Sequence, residues 1–222
     1  MKYNHYIIAI AVMLLGIMAA CKKSNYLTDG GVHDPKTPLS NYDYLAQHPW
    51  KSFDTLIKII DHYSLKEEVN KAATFFAPAN YSITAYMKKK LAEVQLIDEN
   101  AVYTFDSLYQ DITIDSVRQY LFDKKITLDE AKLEAQPYTS LGKTSCAVVK
   151  QLQTDFQYVE RSSAPTYLLY FIKVRGALDI PGTPPPANET DISVVCQTTG
   201  IQTSNGATTL HVLSNRHIFS SF

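Results

Sequence analysis

The sequence has almost no net charge, and the lack of a basic excess limits the kinds of partner that it can bind. The chain carries 21 Lys and Arg residues and 22 Asp and Glu residues, so its formal net charge is −1. A protein that binds nucleic acid through the phosphate backbone carries a clear basic excess. We therefore expect no nucleic-acid partner.

The sequence also lacks recognisable catalytic motifs in their proper context: nucleophile elbows, paired His and Glu on a helix, phosphate loops and dinucleotide fingerprints. The turn Asp29-Gly30-Gly31 has no preceding strand or following helix. Neighbouring carboxylates such as Glu67-Glu68 do not face one another on a helix. A zinc-binding helix carries two His residues four positions apart. This spacing is absent among three histidines of the mature chain, His33, His48 and His62. We expect a noncatalytic protein without cofactor or metal, although a carboxylate dyad built from distant residues stays open.

The N-terminus has the pattern of an export signal. Lys2 precedes an uncharged run from Tyr6 to Ala20, which as a helix would span about 22 Å and so falls short of a bilayer core of about 30 Å. The small residues Ala19 and Ala20 suit a signal peptidase, and Cys21 follows them directly. This arrangement predicts a lipoprotein signal peptide over 1–20 with Cys21 as the lipid-attachment residue. An ordinary secretory signal, with Cys21 incidental, and a short uncleaved anchor are the alternatives.

A lipidated Cys21 would determine where the protein works. Several acyl chains, each contributing about 0.8 kcal/mol per buried methylene, make membrane attachment effectively permanent. Lys22 follows the cysteine where an inner-membrane retention signal would have Asp. The pattern therefore predicts a cell-envelope protein anchored by its lipid in the outer membrane, facing either the periplasm or the outside.

The mature chain divides into a tether and one domain. Residues 21–40 contain few large apolar groups and several Gly and Pro residues, which predicts a flexible tether. Residues 41–222 are enough for one sizeable core. Helical spacing dominates before about Gln136 and strand patterns follow it, so we expect an α+β domain with N-terminal helices packed on a C-terminal β-sheet region. The helices are predicted at 41–47, 53–63, from Asn80 onward and 114–122; the strands at 74–77, 146–152, 156–161, 166–174, 192–199 and 208–213.

Cys146 and Cys196 remain after lipidation of Cys21, and both lie in predicted strands. An exported protein can form disulfides. A bridge between them would contribute about 4 kcal/mol in the chain-entropy model. Two buried free thiols are the other outcome.

Two stretches of the sequence resemble the fasciclin domain, a module of adhesive extracellular proteins. Thr74-Phe75-Phe76-Ala77-Pro78-Ala79-Asn80 is similar to the family's strand, proline and helix-cap signature, with Ala79 where Thr is usual. Asn205-Gly206 followed by Leu210-His211-Val212-Leu213 resembles its closing turn and His-containing strand, with a longer spacing. Tyr120-Leu121-Phe122 matches only half of the family's Tyr-His pair. The resemblance implies structural roles for the following residues: Thr74, Phe76, Pro78, Asn80, Asn205, Gly206 and His211.

The same resemblance implies a noncatalytic adhesion or binding domain that contacts a protein or a glycan. The alternative is a glycan-capture lipoprotein of a nutrient-uptake system, for which the tyrosine content and Trp50 are the only hints. Several exposed aromatic rings on one face would favour sugar binding, whereas buried rings would weigh against it. The rings in question are Tyr42, Tyr44, Trp50, Tyr103 and Tyr109.

Overall fold

The computed structural model of the chain describes residues 34–156 and 164–220. The predicted signal peptide, Cys21 and most of the predicted tether lie outside these ranges. So does most of the strand predicted at 156–161, although Phe156 itself is described and does not belong to a strand.

The first half of the described chain is mainly helical. Its helices form because apolar residues recur on one side of each segment; Leu56, Ile59 and Ile60 are buried in the second one. The helices are α1 (Asn41–Ala46), α2 (Asp54–His62), α3 (Lys66–Lys71), α4 (Asn80–Gln95), α5 (Phe105–Asp111) and α6 (Asp115–Arg118).

Seven strands of the described chain form one mixed sheet. They are β1 (Thr74–Ala77), β2 (Leu121–Phe122), β3 (Gln136–Thr139), β4 (Ser145–Leu152), β5 (Tyr167–Lys173), β6 (Ile192–Thr203) and β7 (Thr208–Leu213). Their order across the sheet is β2-β1-β7-β6-β5-β4-β3. β1 and β7 are parallel, and the other neighbours are antiparallel. The fold is therefore α+β, as the sequence predicts.

The helical half contributes two strands to this sheet. The sequence places a helix over 114–122, but α6 ends at Arg118, and Leu121 and Phe122 pair with Phe75 and Thr74 of β1. Both residues of β2 are buried. The helical prediction is wrong here because pairing with a buried strand outweighs a short apolar periodicity.

The two edge strands lie close to each other. Leu141, just after β3, donates its backbone N–H to the carbonyl oxygen of Leu121 in β2, at 2.8 Å. The rings of Phe122 and Tyr138 meet edge to face, with their centroids 6.3 Å apart. The sheet therefore curves around an aromatic core, to which Phe76, Tyr120, Phe122, Phe171 and Phe219 contribute.

The compact unit begins at Pro35 and not at residue 41. Lys36 bridges to Gln202 of β6, and Thr37 N donates to the Gln202 carbonyl at 2.8 Å. Leu39 accepts a further bond from Ser204 N at 2.8 Å. The flexible tether predicted for 21–40 is therefore wrong for this last part, because the backbone of 35–39 finds hydrogen-bond partners along β6.

Candidate functional site

The Thr74–Ala77 strand is a structural element. All four residues of β1 are buried. The Thr74 hydroxyl donates to the Lys124 carbonyl and accepts from Ile126 N, both at 2.8 Å. Phe76 stacks between Phe171 and His211, with centroid distances of 4.6 and 4.9 Å. These contacts join β1 to the segment after β2 and to the core.

Asn80 has a role that differs from its predicted one. Helix α4 starts at Asn80 itself, directly after Pro78-Ala79, and its N-cap is Ala79. The Asn80 side chain instead accepts hydrogen bonds from Thr55 N at 2.9 Å and Thr55 Oγ1 at 2.6 Å. It also donates to the Lys51 carbonyl at 2.7 Å, while its backbone N–H donates to Ser52 O at 2.8 Å. The prediction that Asn80 caps its own helix is wrong; Asn80 holds the segment 51–55, which leads into α2.

His211 is enclosed in the core. Its Nε2 donates to the Ile126 carbonyl at 2.9 Å, and Gly200 N donates to its Nδ1 at 3.2 Å. The neutral imidazole thus has a backbone partner at each nitrogen. Burial lowers the pKa of His211 to about 4. This is the arrangement of a core histidine, as the resemblance implies.

Asn205 and Gly206 lie in the connection between β6 and β7. Ser204–Gly206 forms a single 3-10 turn, longer than a two-residue hairpin turn. Ser204, Asn205 and Gly206 all have positive φ values, of 51°, 57° and 94°. A Cβ at Gly206 would also meet Gln202 Oε1 at 3.2 Å.

Two aromatic side chains of the C-terminal segment, His217 and Phe219, are buried. His217 is 3% exposed, and its Nε2 shares a 2.7 Å hydrogen bond with the Tyr120 hydroxyl. Phe219 is fully buried and stacks on Tyr120. Burial, followed by the nearby charge of Lys173, lowers the pKa of His217 to about 3. Tyr120, half of an incomplete Tyr-His pair in the sequence, therefore contacts a histidine 97 residues further along the chain.

Cys146 and Cys196 are buried free thiols. They lie on β4 and β6, which are separated by β5, so the disulfide that the sequence left open does not form. Burial raises the pKa of Cys146 to about 12 and raises that of Cys196 as well. Both thiols are thus unreactive core groups.

The aromatic residues singled out in the sequence do not share one environment. Tyr42, Tyr44, Tyr103 and Tyr109 are half-buried against the core. The Tyr42 and Tyr103 hydroxyls donate to Asp61 and Asp111 at 2.8 and 2.9 Å. In contrast, the Trp50 side chain is 82% exposed.

A small cleft lies beside Trp50. It has a volume of about 170 Å³, and its lining includes Tyr44, His48, Trp50, Ser52, Gln197 and Thr198. The His48 ring meets Tyr44, Trp50 and Phe53 edge to face, at centroid distances of 6.4, 5.6 and 5.1 Å. His48 Nδ1 is buried and has no hydrogen-bonding partner among the described residues. We call this cleft, together with the Trp50 ring, the Trp50 site.

Tyr81 provides a second exposed ring, just after the residue that holds the Trp50 loop. Tyr81 is 65% exposed and directly follows Asn80, which is hydrogen-bonded to both Lys51 and Ser52. The first turn of α4 is therefore held against the loop that carries Trp50. Tyr81 itself does not line the cleft.

Sequence reasoning singled out Trp50 but not the residues opposite it. Gln197 and Thr198 come from β6, far along the chain, in a stretch where pairing with β7 shifts register twice. Such bulges redirect side chains and are common beside binding sites. The sequence shows only the alternation of a strand here, so it predicts neither the bulges nor the position of these two polar side chains beside Trp50.

Residues 34–156 and 164–220 contain no group of three His, Cys, Asp or Glu side chains placed to hold a metal ion. None of the helices within the described ranges has the length and apolar composition needed to cross a bilayer. No family model matches the chain, and no curated protein matches its sequence.

Proposed function

We propose that the protein is a lipid-anchored lipoprotein of the cell envelope, with one fasciclin-like domain that acts as a noncatalytic adhesion and binding module. Cys21, at the end of an uncharged run too short to span a bilayer, supports the anchor. The order of the two family-like stretches, together with their structural contacts, supports the domain. The partner is reached by surface contacts and not through a deep pocket.

The exposure of Trp50 is the observation that carries this proposal. A large ring that is 82% exposed gains nothing from the core. Tryptophan is enriched among residues that dominate binding energies, because it combines a large apolar surface with few rotatable bonds. Trp50 lies beside ordered parts of the fold, because the same cleft is lined by His48, Ser52 and residues of strand β6.

The second candidate is a glycan-capture lipoprotein of a nutrient-uptake system, and one observation favours it. The Trp50 site combines an exposed aromatic ring with the polar side chains of Ser52, Gln197 and Thr198. The tyrosines weaken this candidate, because the hydroxyls of Tyr42 and Tyr103 are already bonded to Asp61 and Asp111. Trp50 is its remaining aromatic support.

The anchor is tested by replacing Cys21→Ser and comparing membrane fractions and intact mass. We expect the variant to remain uncleaved and without lipid mass, because no other residue near the apolar run accepts the acyl group. Cys196→Ala is the matched control and should keep the lipid. Native protein recovered from the culture fluid without lipid would contradict the proposal.

The binding role is tested with cells that carry the wild-type chain, Trp50→Ala or Phe156→Ala. Phe156 is 73% exposed and does not line the cleft, so it is a matched aromatic control. We expect attachment of cells to a glycan- or protein-coated surface to drop for Trp50→Ala alone. Equal attachment of all three strains, and of a strain without the protein, would overturn an adhesive role at the cell surface.

A further inference from the structure

We propose that the Trp50 site binds one neutral pyranose ring of a glycan, which stacks its apolar face on the Trp50 indole. This inference rests on the proposed binding function and goes further, because it names the ligand class and the residues that hold it.

The size of the cleft agrees with a single ring. Pockets for drug-sized ligands enclose about 300–1,000 Å³. The volume beside Trp50 is about 170 Å³, too small for such a ligand. The exposed Trp50 ring extends the surface beyond the cleft, so neighbouring sugars of a chain can remain in solvent.

The lining of the cleft indicates a neutral sugar. Besides the six residues named above, Phe53, Ile201 and Val212 contribute to it, so it contains no Asp, Glu, Lys or Arg. Lys51 lies next to Trp50 in sequence and is exposed, but it does not line the cleft. A uronate or sulfated sugar would normally be met by a converging cationic side chain. Without one, a charged group would lose hydration and gain no partner.

A pyranose matches the division of this surface into aromatic and polar parts. One face of the ring presents C–H groups, which pack on an indole, while the hydroxyls at the ring edge need hydrogen bonds. Ser52, Gln197 and Thr198 supply donors and acceptors around Trp50. The bulged course of β6 places the last two there.

His48 gives a second indication of a polar ligand. Its Nδ1 is buried and lacks a partner among the described residues. Such a group costs free energy that an apolar residue of similar size would avoid. Because His48 lines the cleft, we expect a sugar hydroxyl bound there to be the partner of this nitrogen.

The loop that carries Trp50 is held in place before any ligand binds. Lys51 has a left-handed backbone, with a φ of 49°, which costs free energy for a residue with a side chain. The Asn80 side chain compensates by binding the Lys51 carbonyl on one side and Thr55 on the other. An aromatic ring fixed in advance loses less entropy on binding. Asn80 is thus a positioning residue for the Trp50 site.

Trp50 is the only tryptophan in the sequence, so emission excited selectively at tryptophan reports on this site and not on the tyrosines. The full chain, solubilised in lauryldimethylamine oxide because maltoside detergents carry sugar rings, would be titrated with maltohexaose, xylohexaose, cellohexaose and chitohexaose. We expect at least one to shift the emission to the blue and to protect Trp50 from acrylamide, in a saturable manner. Polygalacturonate serves as the charged counterpart and should have no effect.

Calorimetric titration of variants with the active sugar separates stacking from positioning. Trp50→Ala should weaken binding at least about tenfold, as for a residue that dominates an interface. Asn80→Ala should weaken it less and raise the acrylamide accessibility of Trp50 in the free protein. Phe156→Ala should bind as the wild type does. Circular dichroism at the titration temperature confirms that each variant is folded.

The outcomes of these titrations either support or overturn the proposed sugar site. A saturable shift with a neutral oligosaccharide, together with weaker calorimetric binding of the same sugar by Trp50→Ala, supports the inference. A response to polygalacturonate alone, or none to any sugar at 10 mM (roughly tenfold above a weak millimolar affinity), overturns it. If no sugar binds but Trp50→Ala still reduces cell attachment to a protein-coated surface, the proposed binding module stands and only the sugar site fails.

Discussion

At the scale of the residue, His211 shows how a polar side chain can serve as a core residue. It lies between the Phe76 ring and two backbone partners, Ile126 O and Gly200 N. Both nitrogens are satisfied only when the imidazole is neutral with its proton on Nε2. A second proton on Nδ1 would break the bond from Gly200 and place a charge in the aromatic core.

This environment makes stability depend on pH. The pKa of His211 is about 4 in the folded protein and about 6.5 in the unfolded chain. Between these values the unfolded state binds more protons, so the free energy of unfolding falls as the pH drops from 6.5 to 4. The full loss from His211 is about 3 kcal/mol. Urea unfolding followed by circular dichroism at pH 7, 5.5 and 4 measures it.

His211→Gln provides the comparison, because a glutamine can bond to the backbone but does not titrate. The variant is expected to be less stable at pH 7 and to lose less stability on acidification. The difference between the two pH profiles isolates His211 from the carboxylates. Parallel profiles for the wild type and the variant would contradict the buried, neutral state of this residue.

At the scale of the element, the segment from Ser214 to Ser220 acts as part of the core although it has no regular structure. Phe219 N donates to the Ser82 carbonyl in α4 at 3.1 Å. The Phe219 ring lies 5.8 Å from Tyr120 and 6.3 Å from Tyr86, measured between centroids. The segment thus joins α4 to the residue that precedes β2.

Phe219→Ala should therefore destabilise the protein by about 3–5 kcal/mol, the usual cost of removing a fully buried aromatic ring. Its neighbour Ile218 is 38% exposed, so Ile218→Ala should cost about 1 kcal/mol or less. Urea unfolding followed by circular dichroism compares the two. Tryptophan emission is unsuitable, because the exposed Trp50 changes its surroundings little on unfolding. Similar small losses for both variants would mean that this segment does not close the core.

The sequence predicts elements whose pattern is local and loses accuracy where partners are distant. The strands at 74–77 and 208–213 follow from short apolar runs, and α2 follows from its 3.6-residue period. Strand β3 was missed, because its only mark is a weak alternation interrupted by Pro137. Asn80 carried the signal of a helix cap, but its real partners lie 25 and 29 residues earlier.

The candidate site could be predicted only in part for the same reason. Trp50 is visible in the sequence as a single tryptophan, but its exposure, beside the left-handed backbone of Lys51, is a property of the tertiary structure. Gln197 and Thr198 reach the cleft through the irregular register of β6 against β7. A bulge leaves no dependable local pattern, so a site built across it requires the tertiary structure.

At the scale of the whole molecule, the buried titratable side chains are separate from the surface that carries the Trp50 site. Most of the groups with strongly shifted pKa values are buried, and they are His211, His217, Tyr120, Cys146 and Cys196. The exception is Tyr103, which is half-buried; burial and its hydrogen bond to Asp111 raise its pKa. The Trp50 site is formed instead by neutral side chains near the surface. This separation agrees with the proposed noncatalytic binding module. The reactivity of the cysteines can then be used to test both the fold and the proposed lipid anchor.

Counting reactive thiols tests the fold and the anchor together. Cys146 and Cys196 are 1% and 2% exposed, so iodoacetamide at pH 8 should not modify either in the folded, membrane-extracted protein. After unfolding without reductant, only these two should react if the proposed anchor is present, because a thioether at Cys21 would block the third cysteine of the sequence. Mass spectrometry of peptides gives the count, and Cys21→Ser controls for the lipid.

Modification in the folded state would contradict the burial of β4 and β6. Failure of Cys146 and Cys196 to react after unfolding would reveal a disulfide, and reaction at Cys21 would show that the sulfur carries no diacylglyceryl group.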